Sequence, residues 1–376
     1  MPLSIFVDAL PYSEIVENYQ DWFHNMQIAE LQPNIAYSSS LHWQLYCNKY
    51  PDDRHTFVDW SMIPETDKSI CMISRAFSYF DQGGIFSLFV KKVLDRYIYR
   101  RNAFANIPFR FRKDFSEKGQ YLFWKEETYS KEEVFQNYNV ISQDVGHVSF
   151  EQAMVKLITA IDNKNINIMF VTGFADEIGH KNNRGTAYSN RLFPYMQRLH
   201  QAIEKYSTIY PDEDVLLISD HGMSTIKKRI DLRLEEKFGK QKKDTYIAYS
   251  DSCIMCIWSK KKELLKKINE YLLTIKEGHV VSEDERKYYH VTDRQFGDLI
   301  FILKEGICFA NSWFGKSLKK TGHLGEGMHG FWPEESAKDQ MATILLISNK
   351  HKLQPKYTYG QAYRLIMEIM QKKRYI

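Results

Sequence analysis

Short, mainly apolar segments alternate with helical patterns along this chain, and this alternation restricts the fold more than any other feature. Residues 3–10, 166–172 and 215–219 are such apolar segments. Runs of this kind without a polar face are typical of strands that are buried on both sides. Residues 151–162 and 190–205 follow the periodicity of helices. The sequence therefore predicts an α/β fold with a mainly parallel central sheet that is flanked by helices.

Two further predictions concern the start and the end of the chain. Ile15, Tyr19, Phe23 and Met26 share one helical face, which predicts a helix over 12–31. At the other end, residues 343–348 predict a strand and residues 359–373 a helix. Both ends are therefore expected to contribute to the same α/β architecture.

Aspartate and histidine residues collect where the predicted strands end. The carboxyl ends of parallel strands form the ligand-binding edge of such sheets. The candidate metal ligands are Asp8, Asp176, His180, Asp220, His221 and His329. Carboxylate and imidazole ligands suit catalytic Zn²⁺, with Mn²⁺ or Fe as alternatives, and six of them can hold two divalent ions. Gly222 and Gly330 are expected to let the backbone turn tightly beside the ligands.

Each of these residues also has an ordinary structural explanation. An isolated Asp at a strand end usually caps a helix or forms a turn, and an isolated His is usually a satisfied core or surface residue. Their joint placement after successive strands is difficult to obtain by chance. We therefore interpret the whole set as one site.

Composition excludes several other classes of protein. The net charge is only +4, which argues against a specific nucleic-acid binder. The odd number of cysteines, 5, implies no disulfide framework, and the Cys253/Cys256 pair is interpreted as structural thiols in a buried strand. The chain opens as a strand rather than as a signal peptide, and no apolar run approaches the roughly 18 residues of a membrane helix. We expect a cytoplasmic protein without a transmembrane segment.

Five segments that occur in order carry a resemblance to a known family. They are Phe-Val-Asp8-Ala-Leu, Tyr-Ser38-Ser-Ser with Lys-Tyr-Pro51 downstream, Asp176-Glu-Ile-Gly-His180, Ser-Asp220-His221-Gly-Met and Gly-Met-His329-Gly-Phe. This set resembles the alkaline phosphatase superfamily, and within it the nucleotide pyrophosphatase/phosphodiesterase branch. The resemblance implies that one metal ion is held by Asp176, His180 and His329. It implies that the other is held by Asp8, Asp220 and His221, together with the nucleophile.

The nucleophile is a serine whose exact position the sequence leaves open. The family spacing, counted back from Tyr50-Pro51, leads to Ser38, and a slip of one residue leads to Ser39. Asn48 stands where the family usually has Gly, so this count is less constrained than the other motifs. The ordinary alternative is a polar turn and helix cap at residues 38–40. Ser38 is our expected nucleophile and a further ligand of the second ion, with Ser39 as the alternative.

The resemblance implies a metal-dependent phosphodiesterase or pyrophosphatase that hydrolyses a phosphoester through a phosphoseryl intermediate at a two-metal site. Replacing the attacking water by an alcohol would make the same site a phospho-group transferase of the phosphoglycerol or phosphoethanolamine type, acting on a glycan or lipid-linked intermediate. A ligand-binding pseudoenzyme is the third alternative, although the complete ligand set argues against it.

The ligands run from Asp8 to His329, so the chain cannot be divided into sequential domains without breaking the site. We predict one alkaline-phosphatase-like catalytic domain over 1–376, with a cap insertion over 60–145 and a small α+β insertion over 232–320.

The cap is dense in aromatic and basic residues between Lys91 and Lys113. That composition suits an anionic phosphoester substrate (a nucleotide, a nucleotide sugar, or a glycan or lipid phosphate) and peripheral membrane contact. A helix with a solvated basic face is the ordinary alternative. The oligomeric state is not predicted.

Overall fold

The computed structural model describes residues 2–58, 60–78, 85–99, 104, 107–117, 123–124, 126–143, 148–163, 167–310, 326–334 and 337–371. The chain divides into two compact units. The first unit comprises Met1–Tyr50, Tyr121–Ile226 and Gly325–Ile376, and the second comprises Pro51–Gln120 and Lys227–Leu324.

Short strands are distributed over the whole chain. In chain order they are β1 Leu3–Val7, β2 Gln27–Leu31, β3 Trp60–Ser61, β4 Ser116–Glu117, β5 Tyr138–Ser142, β6 Asn167–Thr172, β7 Val215–Ile218, β8 Ser224–Thr225, β9 Lys228–Ile230, β10 Tyr246–Asp251, β11 Ile254–Ser259, β12 Gly278–Val280, β13 Leu299–Leu303, β14 Ile307–Phe309, β15 Gly327–Met328, β16 Ala342–Ile347 and β17 Lys356–Tyr357.

Helices separate most of these strands. In chain order they are α1 Tyr12–Asn18, α2 Ser38–Cys47, α3 Pro51–Arg54, α4 Lys68–Phe77, α5 Ile85–Val93, α6 Phe109–Arg112, α7 Glu126–Tyr129, α8 Phe150–Asp162, α9 Phe174–Lys181, α10 Thr186–Ile209, α11 Leu234–Phe238, α12 Lys262–Leu272, α13 Glu283–Tyr288 and α14 Tyr359–Met370. A π-helix at Leu94–Tyr99 continues α5, and 3₁₀ turns occur at Glu133–Phe135, Arg294–Phe296 and Lys338–Gln340. None of the described helices is both long and apolar enough to cross a membrane.

A seven-stranded sheet forms the centre of the first unit, in the order β17-β2-β16-β7-β1-β6-β5. Strands β5, β6, β1 and β7 are parallel to one another, and β16 runs antiparallel to β7 and to β2. Strand β1 is buried at every position, as expected for a strand covered on both faces. The predicted α/β fold with a mainly parallel sheet and flanking helices is therefore confirmed.

Helices α8 and α10 cover one face of this sheet. Leu157 of α8 and Leu199 of α10 belong to the same buried cluster as Ile5 and Val7 of β1. Helix α8 begins at a capping box, in which Ser149 and Gln152 satisfy each other's backbone N–H groups. This local signal and the apolar face of the helix explain why residues 151–162 could be predicted from the sequence.

The predicted helix over 12–31 is wrong in its second half. Helix α1 ends at Asn18, and residues 27–31 form strand β2, which pairs with β16 at Ala29↔Ile344. Ile15, Tyr19, Phe23 and Met26 all reach the core, as the periodicity indicated, but only the first of them lies in the helix. Sheet pairing with a distant strand overrides the local helical pattern.

The second unit contains an antiparallel sheet in the order β10-β11-β13-β12, with α12 packed on it. Cys256 lies buried in β11, as the strand prediction for this segment indicated. Residues 138–142, which we assigned to the 60–145 insertion, form β5 at the edge of the central sheet of the first unit. The role of the two insertions stays a prediction.

Candidate metal centre

Three neighbouring strands bring the three aspartates together. Strand β1 lies between β6 and β7, with Val7 opposite Thr172 and Phe6 opposite Ile218. Asp8 directly follows β1, whereas the other two aspartates follow β7 and β6 after one and three intervening residues. The Ala9 N–H donates to Asp220 Oδ1 at 3.3 Å, and this bond ties the ends of β1 and β7 together. The parallel pairing thus creates a carboxylate cluster at one edge of the sheet.

Helix α9 carries the first predicted ligand pair. Asp176 and His180 are four residues apart and lie on the same helix face, with His180 Nε2 3.2 Å from Asp176 Oδ1. His180 Nδ1 lies 3.0 Å from the carbonyl oxygen of Gly327. That contact assigns a proton to Nδ1, and Nε2 is the nitrogen that faces the carboxylate.

His329 joins this pair through a short strand pairing. Strand β15, which immediately precedes His329, pairs antiparallel with β8, which follows His221. As a result the imidazoles of His221 and His329 stack at a centroid distance of 3.7 Å. His329 Nε2 lies 3.8 Å from Asp176 Oδ1. The donor atoms of Asp176, His180 and His329 all lie within 4.8 Å of one another.

The second predicted ligand set converges on His221. Its Nε2 lies 3.3 Å from Asp8 Oδ1 and 3.3 Å from Asp220 Oδ2. Its Nδ1 lies 2.8 Å from the carbonyl oxygen of Gly222, so Nε2 is again the nitrogen that faces the carboxylates. Donor atoms of Asp8, Asp176 and His221 also lie within 4.8 Å of one another, which makes the two sets immediate neighbours.

Ser38 is the first residue of helix α2, and its hydroxyl faces the second set. Ser38 Oγ lies 2.8 Å from His221 Nε2 and 3.5 Å from Asp8 Oδ1, to which it donates. The partial positive charge at the N-terminus of a helix favours anions at this position. Ser39 Oγ, in contrast, is buried and forms no hydrogen bond with the described residues. Of the two candidate serines, Ser38 therefore has its hydroxyl at the ligand cluster.

His42 also reaches the site, and the sequence analysis missed it. Its Nε2 lies 3.3 Å from Asp220 Oδ2, and its donor atom groups with those of Asp8 and Asp220 within 4.8 Å. The spacing Ser38-x3-His42 is the same as that of Asp176-x3-His180, and on a helix it places both side chains on one face. This spacing was the signal that could have identified His42.

Burial and neighbouring charges shift the pKa values of Asp8 and His221 in the second set. Burial, reinforced by the carboxylates of Asp220 and Asp176, raises the pKa of Asp8 to about 7. Burial opposes protonation of His221, but the carboxylates of Asp220 and Asp8 outweigh it and raise the pKa of the imidazole to about 10. The metal-free cluster therefore retains protons that a cation would displace.

Burial and neighbouring charges also shift the pKa values of Asp176, Asp220 and His329. Burial would raise the pKa of Asp220 and of Asp176, but neighbouring imidazoles reverse the direction and lower both pKa values. Burial, together with the stacked His221, lowers the pKa of His329 well below its usual range. His329 is therefore a neutral imidazole at neutral pH, the form that binds metal ions.

The donor set fits a pair of divalent cations. Asp176 Oδ1 and Asp220 Oδ2 are buried and accept no hydrogen bond from the described residues. Unsatisfied buried carboxylate oxygens are costly unless a cation neutralises them. Carboxylate oxygens and neutral imidazole nitrogens are the ligands that Zn²⁺ and related ions take in catalytic sites.

Two positions beside the ligands favour glycine, each for a different structural reason. A Cβ atom at Gly222 would lie 2.0 Å from the carbonyl oxygen of Asp339. Gly330 adopts a φ of 79°, in the left-handed region that favours glycine. Close approach at Gly222 and backbone conformation at Gly330 both allow the chain to turn next to His221 and His329.

The basic cluster predicted to recognise substrate is only partly exposed. Lys91 is buried, donates to the carbonyl oxygen of Ile107 and lies over the ring of Phe109. Arg112 is buried and pairs with Glu65. Both cations are engaged by groups of the second unit, and we remove them from the candidate substrate contacts. Arg100 and Arg101 lie outside the described residues, whereas Lys92, Arg96 and Arg110 are exposed.

A sequence profile of type I phosphodiesterases and nucleotide pyrophosphatases matches residues 96–332, which is more than half of the chain. The chain belongs to the type I phosphodiesterase/nucleotide pyrophosphatase family. The matched residues include five of the predicted ligands, from Asp176 to His329. Asp8 and Ser38 precede the match, so their place in the site depends on the geometry. The predicted membership of this branch of the alkaline phosphatase superfamily is confirmed, and it supports phosphodiester hydrolysis.

Solved structures agree with this family at the level of the fold. Murine and human ectonucleotide pyrophosphatase/phosphodiesterase 5 each align with 99% of this chain and 95% of their own, at 13% identity and a TM-score of 0.63. An inactive threonine-to-alanine variant of the murine protein, solved in complex with AMP, aligns equally well at 12% identity. No curated protein sequence matches this chain.

Proposed function

We propose that this family member is a metal-dependent phosphodiesterase or nucleotide pyrophosphatase that works through a phosphoseryl intermediate on Ser38. The observation that carries the proposal is the position of Ser38 Oγ, 2.8 Å from His221 Nε2 and 3.5 Å from Asp8 Oδ1. A hydroxyl at a helix N-terminus and beside a dense ligand cluster suits attack on a phosphoryl group, which supports the proposal. Family membership supports the reaction class.

Two cations would be held by the two adjacent ligand sets. Asp176, His180 and His329 form the first set, and Asp8, Asp220 and His221 form the second, beside Ser38. When bound, such ions act as Lewis acids that neutralise phosphoryl oxygens and favour the ionised serine hydroxyl. Zn²⁺ is our preferred metal because of the mixed nitrogen and oxygen ligands, and Mn²⁺ and Fe are the alternatives.

The residues of the chain then account for the displacement. The hydroxyl of Ser38 donates to Asp8 Oδ1 and gives up its proton to solvent, because Asp8 would remain ionised as a ligand. The serine oxygen forms a bond to phosphorus while the bond from phosphorus to the leaving oxygen breaks, and the leaving oxygen takes a proton from solvent. The N-terminus of α2 stabilises negative charge on the transferred group. Water then cleaves the bond between Ser38 Oγ and phosphorus, which restores the hydroxyl and releases the phosphate product.

A nucleotide-type phosphoester is the substrate class that we favour. The family description, which names nucleotide pyrophosphatases, and the AMP complex of the murine structural neighbour both support this choice. Nucleotide sugars and glycan or lipid phosphates are the alternatives, and peripheral membrane contact belongs with the last of these. The cytoplasmic location stays a prediction.

A substrate panel tests this proposal. The purified protein is freed of metal with a chelator, reloaded with Zn²⁺, Mn²⁺ or Fe²⁺, and assayed on bis(p-nitrophenyl) phosphate, p-nitrophenyl phosphate, a nucleoside triphosphate and a nucleotide sugar. We expect phosphodiester or pyrophosphate cleavage that disappears with the metal and returns on reloading. Fully metal-loaded protein without activity on any of them would contradict the proposal and favour the ligand-binding pseudoenzyme.

Product analysis separates hydrolysis from transfer. The reaction is repeated with an alcohol such as glycerol, and products are identified by mass spectrometry. Hydrolysis predicts the free phosphate product at the same rate in both conditions. Formation of the phosphorylated alcohol as the main product would instead assign the transferase reaction. Acid quenching during turnover should trap the phosphoryl group, with its remaining ester substituent, on the peptide that contains Ser38.

A further inference from the structure

His42 lies one helical turn after Ser38, on the same face of α2. Its side chain is buried, and its Nε2 lies 3.3 Å from Oδ2 of Asp220, whose side chain is completely buried. Neither atom forms any other hydrogen bond with the described residues. Oδ2 of Asp220 also lies 3.3 Å from Nε2 of His221. A buried nitrogen aimed at a buried carboxylate requires an explanation beyond packing.

Aromatic rings fix the orientation of the His42 side chain. Phe6 meets the imidazole edge-on at a centroid distance of 4.8 Å, and Trp124 lies at 5.7 Å. Phe6 belongs to β1, the strand that leads directly into Asp8. The imidazole is therefore held between core residues and has little freedom to turn Nε2 away from the carboxylate.

Two other polar atoms of Asp220 already accept hydrogen bonds. Its Oδ1 accepts from the Ala9 N–H, and its main-chain carbonyl oxygen accepts from the hydroxyl of Tyr359. Oδ2 alone faces two imidazoles, those of His42 and His221, each at 3.3 Å. An N–H on His42 Nε2 would thus complete the hydrogen bonding of this carboxylate while one lone pair of Oδ2 stays available.

We infer that His42 is a positioning residue that donates from Nε2 to Asp220 Oδ2 and orients this carboxylate for the cation of the second ligand set. The inference rests on the proposed function. Because Ser38 and His42 share α2, the same contact also sets the nucleophile at the correct distance from the ligand. Partners in the second coordination shell typically change metal affinity by about 10- to 100-fold when they are removed.

Metal affinity tests the inference without any substrate. His42→Phe keeps a ring in the same place but removes the donor, and His42→Gln keeps a donor on a side chain of similar reach. His200→Phe is the matched control, since His200 also packs on aromatic rings, those of Trp22 and Phe23. Each protein is titrated with Zn²⁺ against a chromophoric chelator, and melting of the metal-free form reports folding.

We expect His42→Phe to weaken binding of one Zn²⁺ by about 10- to 100-fold, with His42→Gln within about threefold of the wild type and His200→Phe unchanged. Wild-type affinity in His42→Phe, or equal weakening in both His42 variants, would overturn the inference. If the wild type binds two Zn²⁺ but cleaves no phosphoester, the proposed function fails while the His42 comparison still stands on its own.

A measurement on the wild type removes the dependence on variants. In the Zn²⁺-loaded protein labelled with ¹⁵N, a donating His42 has its proton on Nε2, with the corresponding nitrogen shift and coupling. A Nε2 shift typical of a metal-bound nitrogen would instead make His42 a direct ligand and would overturn the positioning role. Co²⁺ substitution distinguishes the same two roles. If His42 is a direct ligand, His42→Gln removes a ligand and changes the visible spectrum of the Co²⁺-loaded protein.

Discussion

The hydroxyl oxygen of Ser38 lies 2.8 Å from Nε2 of His221, although helix α2 and the segment after strand β7 supply these residues from different parts of the chain. The contact joins the candidate nucleophile to a ligand of the second set. It distinguishes Ser38 from Ser39, whose hydroxyl forms no hydrogen bond with the described residues.

Replacing the two serines separately tests this distinction. We expect Ser38→Ala to reduce kcat by at least about 1,000-fold, because the variant lacks the hydroxyl that would form the covalent intermediate. Ser39→Ala should keep kcat within about threefold of the wild type, and it serves as the matched control. Steady-state kinetics on a phosphodiester give both values, and the opposite ranking would place the nucleophile one residue later.

Metal binding should strengthen as the pH rises. The pKa of His221 is raised to about 10 by the carboxylates of Asp220 and Asp8. A cation must therefore displace a proton at neutral pH, and Zn²⁺ affinity should rise by up to about tenfold per pH unit from about pH 7 to about pH 9. The rise should be steeper below about pH 7, where Asp8 is protonated as well. Calorimetry in buffers of different ionisation enthalpy measures the released proton. An affinity independent of pH over this range would argue against metal binding through His221.

Asp8→Asn should stabilise the metal-free protein. Burial and two neighbouring carboxylates raise the pKa of Asp8 from 3.8 to about 7. Its contribution to stability is therefore present below about pH 4 and is lost as the pH rises through about 7. At pH 8 we expect the variant to gain about 1–3 kcal/mol in the free energy of unfolding, and near pH 4 this advantage should vanish.

The Asp8→Asn variant should gain less stability from Zn²⁺ than the wild type does. Saturating Zn²⁺ should raise the melting temperature of the wild type, because the ion binds only the folded state. The increase should be much smaller in Asp8→Asn, which lacks a charged ligand. Denaturant unfolding with and without Zn²⁺ measures both effects, and an equal Zn²⁺ response in the two proteins would remove Asp8 from the ligand set.

Gly222→Ala should disturb the site through the backbone. The added methyl group would lie 2.0 Å from the carbonyl oxygen of Asp339, so either the Asp220–His221 segment or the opposing loop must shift. We expect a loss of about 1–3 kcal/mol in the free energy of unfolding, together with weaker Zn²⁺ binding. Gly360→Ala is the control, since its methyl group would be 3.4 Å from the nearest atom, the hydroxyl oxygen of Tyr50. Equal effects of both variants would contradict this explanation.

Local signals accounted for most of the elements that carry the site. The buried runs at β1, β6 and β7 were recognisable because strands covered on both faces are mainly apolar and show no polar face in the pattern. Residues 27–31, in contrast, continued a helical periodicity and became a strand through pairing with β16. The basic residues Lys91 and Arg112 resembled a substrate surface, yet both are buried.

The sequence by itself determined the types of the candidate ligands and their placement after strands, because both are local properties of the chain. Only the tertiary structure decided which atoms meet. The order β7-β1-β6 brings three aspartates together, and the helical turn from Ser38 to His42 places a second imidazole against Asp220. Such contacts depend on strand order and helix orientation, which arise from packing between residues that are far apart in the chain.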